Sequence, residues 1–189
     1  MTESVTLTFL GGLGRIGRNC AALETEGRIV LLDCGQMFPE ELPGVDAVLP
    51  DFSWILERSD QIEGCIITHA HEDHIGGLPH LLKEINIPIY GSKFTLGMLQ
   101  AKLDYVGIRG TETIELKDHD LRQIGPFKCE FLPVTHSTPS GLMTVFDTPQ
   151  GAIVHSSDFK LDPTPVDGRV TDLTRLREIS EDRGIRLLL

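Results

Sequence analysis

The 189-residue sequence lacks the features of a membrane-spanning or secreted protein. No apolar run approaches the roughly 20 residues that a membrane-spanning helix needs. The start, MTESVTLTFLGG, lacks the basic residues and cleavage pattern of a secretory signal. CxxC pairs are also absent, which predicts reduced core thiols rather than disulfides or zinc ligands at Cys20, Cys34, Cys65 and Cys129. These absences predict a cytoplasmic protein without a membrane partner.

The chain has fewer basic than acidic residues. The chain has 17 Lys and Arg against 28 Asp and Glu, which gives a formal net charge of -11. This balance argues against broad attraction to nucleic acid or to an anionic membrane. A polyanionic substrate stays open, because two divalent ions in a cleft would dominate the field there. With 40% hydrophobic and 24% charged residues, the composition is that of one globular domain, or part of one.

What the chain does contain is a dense group of metal-ligand side chains in residues 68–77, THAHEDHIGG. The group follows the apolar run 64–67, which is predicted to be a buried strand that ends at a loop. Such a loop can turn His69 and His71 toward one ion and Asp73 and His74 toward a second. Imidazole nitrogen with carboxylate oxygen suits zinc, and manganese or iron is less favoured. The alternative is a solvated polar loop that happens to be rich in histidine.

Further candidate side chains are predicted at the tips of other strands. A strand over residues 128–134 leads into His136, and a strand over residues 152–157 leads into Asp158. These two supply the residue types that a two-metal site still lacks. Asp33 ends an earlier apolar strand and could orient a ligand histidine from behind. A simple turn aspartate before glycine is the alternative for Asp33.

A glycine-rich stretch near the N-terminus offers a competing function. Residues 12–17 fit GxGxxG after a strand, and Asp33 follows at about the distance of the dinucleotide-binding fingerprint. However, only residues 18–27 separate the glycines from the next strand, and Glu26 and Gly27 are typical of a tight hairpin turn. A parallel crossover needs a dozen or more residues. The stretch is therefore predicted to be a turn close to the site, with nucleotide binding as the lesser alternative.

The remaining pattern predicts an α/β architecture in layers. Helices are predicted from Leu78 to Lys83 or Ile85, over residues 95–105 and over residues 171–183, with strands dominating after residue 113. The chain stops within an apolar strand at residues 185–189. A fragment of a longer protein is therefore expected.

Taken together, HxHxDH at residues 69–74 with His136, Asp158 and Asp33 resembles the metallo-β-lactamase superfamily, whose fold is an αββα sandwich. Longer segments are similar to the ribonuclease J family over nearly the whole chain. They are GGLGRIGRN at 11–19, LLDCGQMFPEELPGVDAVLPD at 31–51, THAHEDHIGGLPHLL at 68–82, GSKFT at 91–95, THSTP at 135–139 and HSSDFK at 155–160.

The resemblance implies a role for each candidate side chain. One zinc would be held by His69, His71 and His136, and a second zinc by Asp73 and His74. Asp158 would bridge the two ions, and Asp33 would support the ligands, whereas Glu72 is not expected to bind metal. A water shared by two such ions has a strongly lowered pKa and can attack phosphorus. Asp73 and Asp158 would position that water.

The resemblance also implies a function and a domain organisation. The function is that of a zinc-dependent ribonuclease that cuts RNA internally and from the 5′ end, in RNA processing and decay. Residues 1–189 would be the N-terminal part of the metallo-β-lactamase domain, without the β-CASP domain and the C-terminal return that carries a further histidine. The full-length protein is expected to be a homo-oligomer, and the identity of any RNA-decay partners stays open. The alternatives are a thioester, lactone or lactam hydrolase, or a truncated fragment without activity.

Two positions depart from the family pattern. Ser156 and Ser157 precede Asp158 where the family has Thr-Gly, and Ser140 stands where the family tends to have an acid. A side chain at position 157 either crowds the metals or hydrogen-bonds a neighbour.

Overall fold

The computed structural model describes residues 4–39 and 43–189, and within these ranges the chain forms two β-sheets and five α-helices. The strands are β1 (Thr6–Gly11), β2 (Cys20–Thr25), β3 (Arg28–Leu32), β4 (Ile62–Ile66), β5 (Ile89–Ser92), β6 (Thr113–Leu116), β7 (Leu121–Ile124), β8 (Phe127–Val134), β9 (Gly141–Asp147), β10 (Ala152–His155) and β11 (Ile185–Leu188). The helices are α1 (Ser53–Leu56), α2 (Glu72–Ile75), α3 (Leu78–Leu81), α4 (Lys93–Tyr105) and α5 (Leu173–Asp182).

The first sheet has the strand order β1-β2-β3-β4-β5-β6 and the second has the order β11-β10-β9-β8-β7. In the first sheet β1, β2 and β3 are antiparallel, and β3 to β6 are parallel. The predicted hairpin is confirmed, because β2 pairs with β3 from Ala21 opposite Leu32 to Thr25 opposite Arg28. A strand therefore follows the GxGxxG stretch. The dinucleotide-binding alternative, which needs a helix there, is wrong.

The apolar core consists of three clusters, one on each outer side of the two sheets and one between them. The face of the first sheet that carries Leu31 packs against the helices, including Leu99 of α4. The opposite face, with Leu32, packs against Phe131 and its neighbours on the second sheet. The outer face of the second sheet is covered by α5 through Ile179. Strands β2 and β3 are apolar on both faces because both faces are buried. The αββα sandwich predicted from the sequence is confirmed.

The helices differ from the predictions mainly at their ends. Helix α4 begins two residues early, because the Ser92 hydroxyl accepts a hydrogen bond from the Thr95 amide and caps the helix. Helix α3 ends at Leu81, and the chain continues to Ile85 in turns. The stretch predicted to be a loop at the histidine motif contains a helical turn, α2. Helix α5 is capped by Asp172, whose carboxylate accepts a hydrogen bond from the Arg175 amide.

Other sequence predictions can be placed on this fold. The four cysteines are free and buried, as predicted. Within the described ranges, no helix has the length and apolar character that crossing a bilayer requires. Residues 40–42, which belong to the similar segment 31–51, lie outside the described residues.

Candidate metal centre

One edge of the sandwich collects the candidate ligands from both sheets. His69 and His71 lie on the loop after β4, and Asp73 and His74 lie on α2 directly behind it. His136 follows β8 and Asp158 follows β10. Because β8 and β10 both pair antiparallel with β9, their carboxyl ends point to the same edge. The chain thereby brings six side chains from distant parts of the sequence into two groups that share Asp158.

Three histidines and Asp158 form the first group. Nε2 of His69 lies 2.9 Å from Nδ1 of His71, which lies 3.2 Å from Nε2 of His136. A tetrahedral zinc ion with bonds of about 2.0–2.1 Å holds its ligand nitrogens about 3.3 Å apart. The observed spacing therefore fits one ion between the three rings. Oδ2 of Asp158 lies 3.6 Å from Nε2 of His136 and offers a fourth donor.

Asp73, His74 and Asp158 form the second group. Nε2 of His74 lies 3.6 Å from Oδ2 of Asp73 and 3.8 Å from Oδ2 of Asp158. The oxygen of Asp158 that approaches the first group is thus the same one that approaches the second. A carboxylate oxygen within reach of two ligand groups is suited to bridge two ions.

Burial favours the neutral form of two ligand rings of the first group, those of His69 and His136. Burial, together with the nearby ring of His74, lowers the pKa of His69 to about 3. Burial also lowers the pKa of His136. A neutral imidazole retains the nitrogen lone pair that binds a metal. The rings of His69 and His136 are therefore able to bind a cation at neutral pH.

Asp33 lies behind the second group and holds His74. Its buried carboxylate accepts hydrogen bonds from the amide of Thr68 at 2.8 Å and the hydroxyl of Thr68 at 2.9 Å, and it lies 2.8 Å from Nδ1 of His74. Burial pushes the pKa of Asp33 up, but the charge of His74 and its hydrogen bond lower it overall. Burial likewise pushes the pKa of His74 down, and Asp33 raises it overall. Nδ1 of His74 thus donates to Asp33, and Nε2 faces the carboxylates of Asp73 and Asp158.

Asn19 is a site residue to which the sequence analysis assigned no role. Its Nδ2 donates to Oδ2 of Asp73 at 3.1 Å and lies 3.0 Å from Nε2 of His74. Its backbone amide also donates to the carbonyl oxygen of Asp73 at 3.0 Å. The only signal for this role in the sequence was that Asn19 ends the segment GGLGRIGRN, and the contact itself arises from tertiary structure.

The chain after β3 lies against α2, backbone to backbone. The amide of Cys34 donates to the carbonyl oxygen of His74 at 2.8 Å. A Cβ atom at Gly35 would lie 1.6 Å from the carbonyl oxygen of Asp73, so only glycine fits there. This close contact fixes the position of α2 relative to the first sheet, and with it the positions of Asp73 and His74.

Glu72 points away from the two groups. Its carboxylate pairs with Lys102 of α4 and accepts a hydrogen bond from Nε2 of Gln36 at 3.1 Å. These contacts agree with the expectation that Glu72 is not a ligand. They fasten α2 to α4 on one side and to the chain after β3 on the other.

Ser157 hydrogen-bonds a neighbour, which is one of the two outcomes considered for this position. Its Oγ lies 3.2 Å from Nδ1 of His69, on the side of the ring away from His71. The backbone of Ser157 has φ 59°, in the left-handed region that favours glycine.

A cleft of about 330 Å³ opens beside the second group. Its lining includes Gly12 of the glycine-rich turn, Asn19, His74, His155 and Asp158. A volume of this order is at the lower end of the range for small-molecule sites. The glycine-rich turn is therefore part of the wall of the site, as predicted from the sequence.

The structure brings together all six side chains predicted to bind metal, and it places Asp33 behind one of them. The cluster could bind metal, and the assignment of each residue as a ligand stays a prediction.

Comparison with protein families finds a match to the beta-lactamase superfamily domain over residues 28–176. Among curated proteins, the chain is similar to ribonuclease J of Mycolicibacterium smegmatis, with 42% identity over 185 residues, which cover 97% of this chain and 33% of that protein. Ribonuclease J of Helicobacter pylori strain 26695 is 43% identical over 190 residues, covering 98% of this chain and 27% of that protein. The chain thus spans about a third of the length of these relatives. The resemblance to ribonuclease J is confirmed.

Solved structures support the fold. The metallo-β-lactamase fold protein YhfI of Bacillus subtilis aligns with a TM-score of 0.61 and 20% identity, over 82% of this chain and 63% of that one. The short form of human tRNase Z aligns with a TM-score of 0.55 and 19% identity, over 87% of this chain and 72% of that one. At this level of identity the likeness concerns the fold alone.

Proposed function

Because the chain belongs to the beta-lactamase superfamily, we propose that it is part of a metal-dependent ribonuclease that hydrolyses RNA phosphodiester bonds. The observation that carries the proposal is the pair of ligand groups that share Asp158 at the edge of the cleft. The similarity to ribonuclease J, at 42% identity over 97% of the chain, favours RNA over other substrates. Two zinc ions are the proposed cofactors, with manganese as the alternative metal.

Two bound divalent ions would supply a water of lowered pKa and positive charge for the phosphate. The side chains of this protein hold and orient the reacting groups. Asp158 presents one oxygen to both ligand groups, and Asn19 donates a hydrogen bond that orients Asp73. Asp33 keeps the Nδ1 proton of His74, so that Nε2 is directed at the second group. We propose Asp73 and Asp158 as the residues that position the attacking water.

The charge of the site makes RNA binding depend on metal. Three carboxylates, those of Asp33, Asp73 and Asp158, lie in or behind the two ligand groups. Lowered pKa values keep His69 and His136 neutral, so that these rings do not offset the acids. Without bound cations, the cleft would repel a phosphodiester. Divalent ions reverse the sign of this field, which reconciles an overall charge of -11 with a polyanionic substrate.

Cleavage of RNA labelled at the 5′ end tests this function. The purified full-length protein should cut the RNA with zinc or manganese, lose activity with a chelator and recover it when metal is returned. His71→Ala and Asp73→Ala should abolish cleavage, whereas His80→Ala, a change of an exposed histidine outside both groups, should retain it. Unchanged cleavage by the first two variants would remove the proposed site. Hydrolysis of a thioester, lactone or lactam in place of RNA would favour the other hydrolases of the superfamily.

Further parts of the proposal go beyond what the site supports and follow from the resemblance to the ribonuclease J family. They are cleavage both within RNA and from the 5′ end, a role in RNA processing and decay, a cytoplasmic location and formation of a homo-oligomer by the full-length protein. We also propose that residues 1–189 form the N-terminal part of a metallo-β-lactamase domain that continues after a β-CASP segment. The reading frame downstream of residue 189 tests this organisation directly.

A further inference from the structure

Ser157 has an unfavourable backbone conformation beside the candidate metal centre. Strand β10 ends at His155, and the chain turns at Ser157 with φ 59° before it reaches Asp158. In this left-handed region the Cβ atom of an L-residue crowds the backbone, and glycine is favoured. A serine at this position therefore calls for a compensating contact.

The hydroxyl of Ser157 makes such a contact with His69. Oγ lies 3.2 Å from Nδ1 of His69, and Oγ1 of Thr68 lies 3.1 Å from the same nitrogen. The Thr68 hydroxyl already donates its proton to Asp33 at 2.9 Å. Both hydroxyl oxygens can therefore accept, and the proton of His69 resides on Nδ1.

The hydrogen bond at Nδ1 also determines which nitrogen of His69 is free to bind metal. With the proton on Nδ1, the lone pair of His69 lies on Nε2, the nitrogen that is 2.9 Å from Nδ1 of His71. The bond also ties His69, on the loop after β4, to the residue next to Asp158, which follows β10 of the second sheet. Thr68 and Ser157 thus share the orientation of the His69 ring, and of these two Ser157 is the one that also links His69 to the segment carrying Asp158.

We propose that Ser157 is a positioning residue for the metal centre, which holds His69 with Nε2 directed at the ion through a hydrogen bond to Nδ1. The inference rests on the proposed function, because the orientation of His69 matters only where His69 binds a metal. It gives the serine in this left-handed turn a role: its hydroxyl contacts a metal ligand, although glycine would suit the backbone better.

Two variants of Ser157 separate the hydroxyl from the backbone. Ser157→Ala removes the hydroxyl and keeps a Cβ atom, whereas Ser157→Gly removes both. The affinity of the 189-residue chain for the zinc ion of the first ligand group, measured by chelator competition, should fall about fivefold in both variants, which is the effect of one lost hydrogen bond. In metal-free protein, Ser157→Gly should melt about 2–4 °C above Ser157→Ala, because glycine relieves the backbone crowding.

Ser140 provides the matched control. It is a second serine in the left-handed region, with φ 60°, and it belongs to neither ligand group. Ser140→Gly should raise the melting temperature and leave the zinc affinity unchanged. Zinc binding by Ser157→Ala equal to that of the wild type would overturn the role of Ser157 and leave the proposed function in place. Failure of the wild-type chain to bind zinc would overturn the proposed function together with this role.

Discussion

Replacing Asp33 with asparagine exchanges one carboxylate oxygen beside His74 for an amide nitrogen. This change has two consequences that can be measured separately. In Asp33→Asn the amide nitrogen that replaces Oδ2 would face Nδ1 of His74 at 2.8 Å and Oγ1 of Thr68 at 2.9 Å. Oδ1 would still accept from the amide of Thr68. Because part of the buried hydrogen-bond network survives, we expect the free energy of unfolding to fall by about 2–4 kcal/mol. Urea unfolding of the metal-free protein measures this loss.

The second consequence concerns metal. An amide facing Nδ1 of His74 favours the tautomer with the proton on Nε2, and Nε2 is the nitrogen that faces Asp73 and Asp158. Affinity for the second zinc ion should fall about 10–100-fold, while the ion among the other three histidines is retained. Asp60→Asn, which removes the same charge from an exposed position, is the control for both measurements. A free energy of unfolding of Asp33→Asn within about 0.5 kcal/mol of the wild type, together with unchanged affinities for both zinc ions, would refute this account of Asp33.

Three further substitutions test other parts of the structure. Gly35→Ala should destabilise the fold by about 3 kcal/mol or more, because its Cβ overlaps the carbonyl oxygen of Asp73; a stable variant with normal zinc binding would contradict the close approach. Asp158→Ala should lower the zinc occupancy of both sites, whereas Asp73→Ala should lower that of one site, as measured by mass spectrometry. Loss of the same amount of zinc in the two variants would argue against a carboxylate shared by both sites. Asp172→Ala removes the cap bonded to the Arg175 amide and should cost about 1 kcal/mol in thermal unfolding; an unchanged melting temperature would contradict the cap.

Much of the fold could be predicted from the sequence because local patterns and buried faces agree. The apolar runs around Leu31 and Ile66 are strands that are buried on both faces. The spacing between Gly17 and the turn at Glu26 was too short for a crossover helix, which separated a hairpin from a dinucleotide-binding fold. Helix α2 was missed because a four-residue helix leaves little periodicity to detect.

The parts of the site that escaped prediction are those made by tertiary contact. His136 and Asp158 could be predicted as partners of the histidine motif because each ends a recognisable strand. The contact of Asn19 with Asp73 bridges two segments whose approach no local pattern encodes. The left-handed backbone of Ser157 is likewise set by the path of the chain, since serine carries no preference for that conformation.

The collection of ligands from both sheets has a mechanical consequence. An ion held by His69, His71 and His136 would act as a cross-link between the two layers of the sandwich, because the first two follow β4 and the third follows β8. Free metal at a hundred times its dissociation constant would stabilise the folded state by about 2.7 kcal/mol. Part of that energy would resist the separation of the layers. Amide exchange in β4 and β8 should therefore slow together when metal binds, although the two strands belong to different sheets.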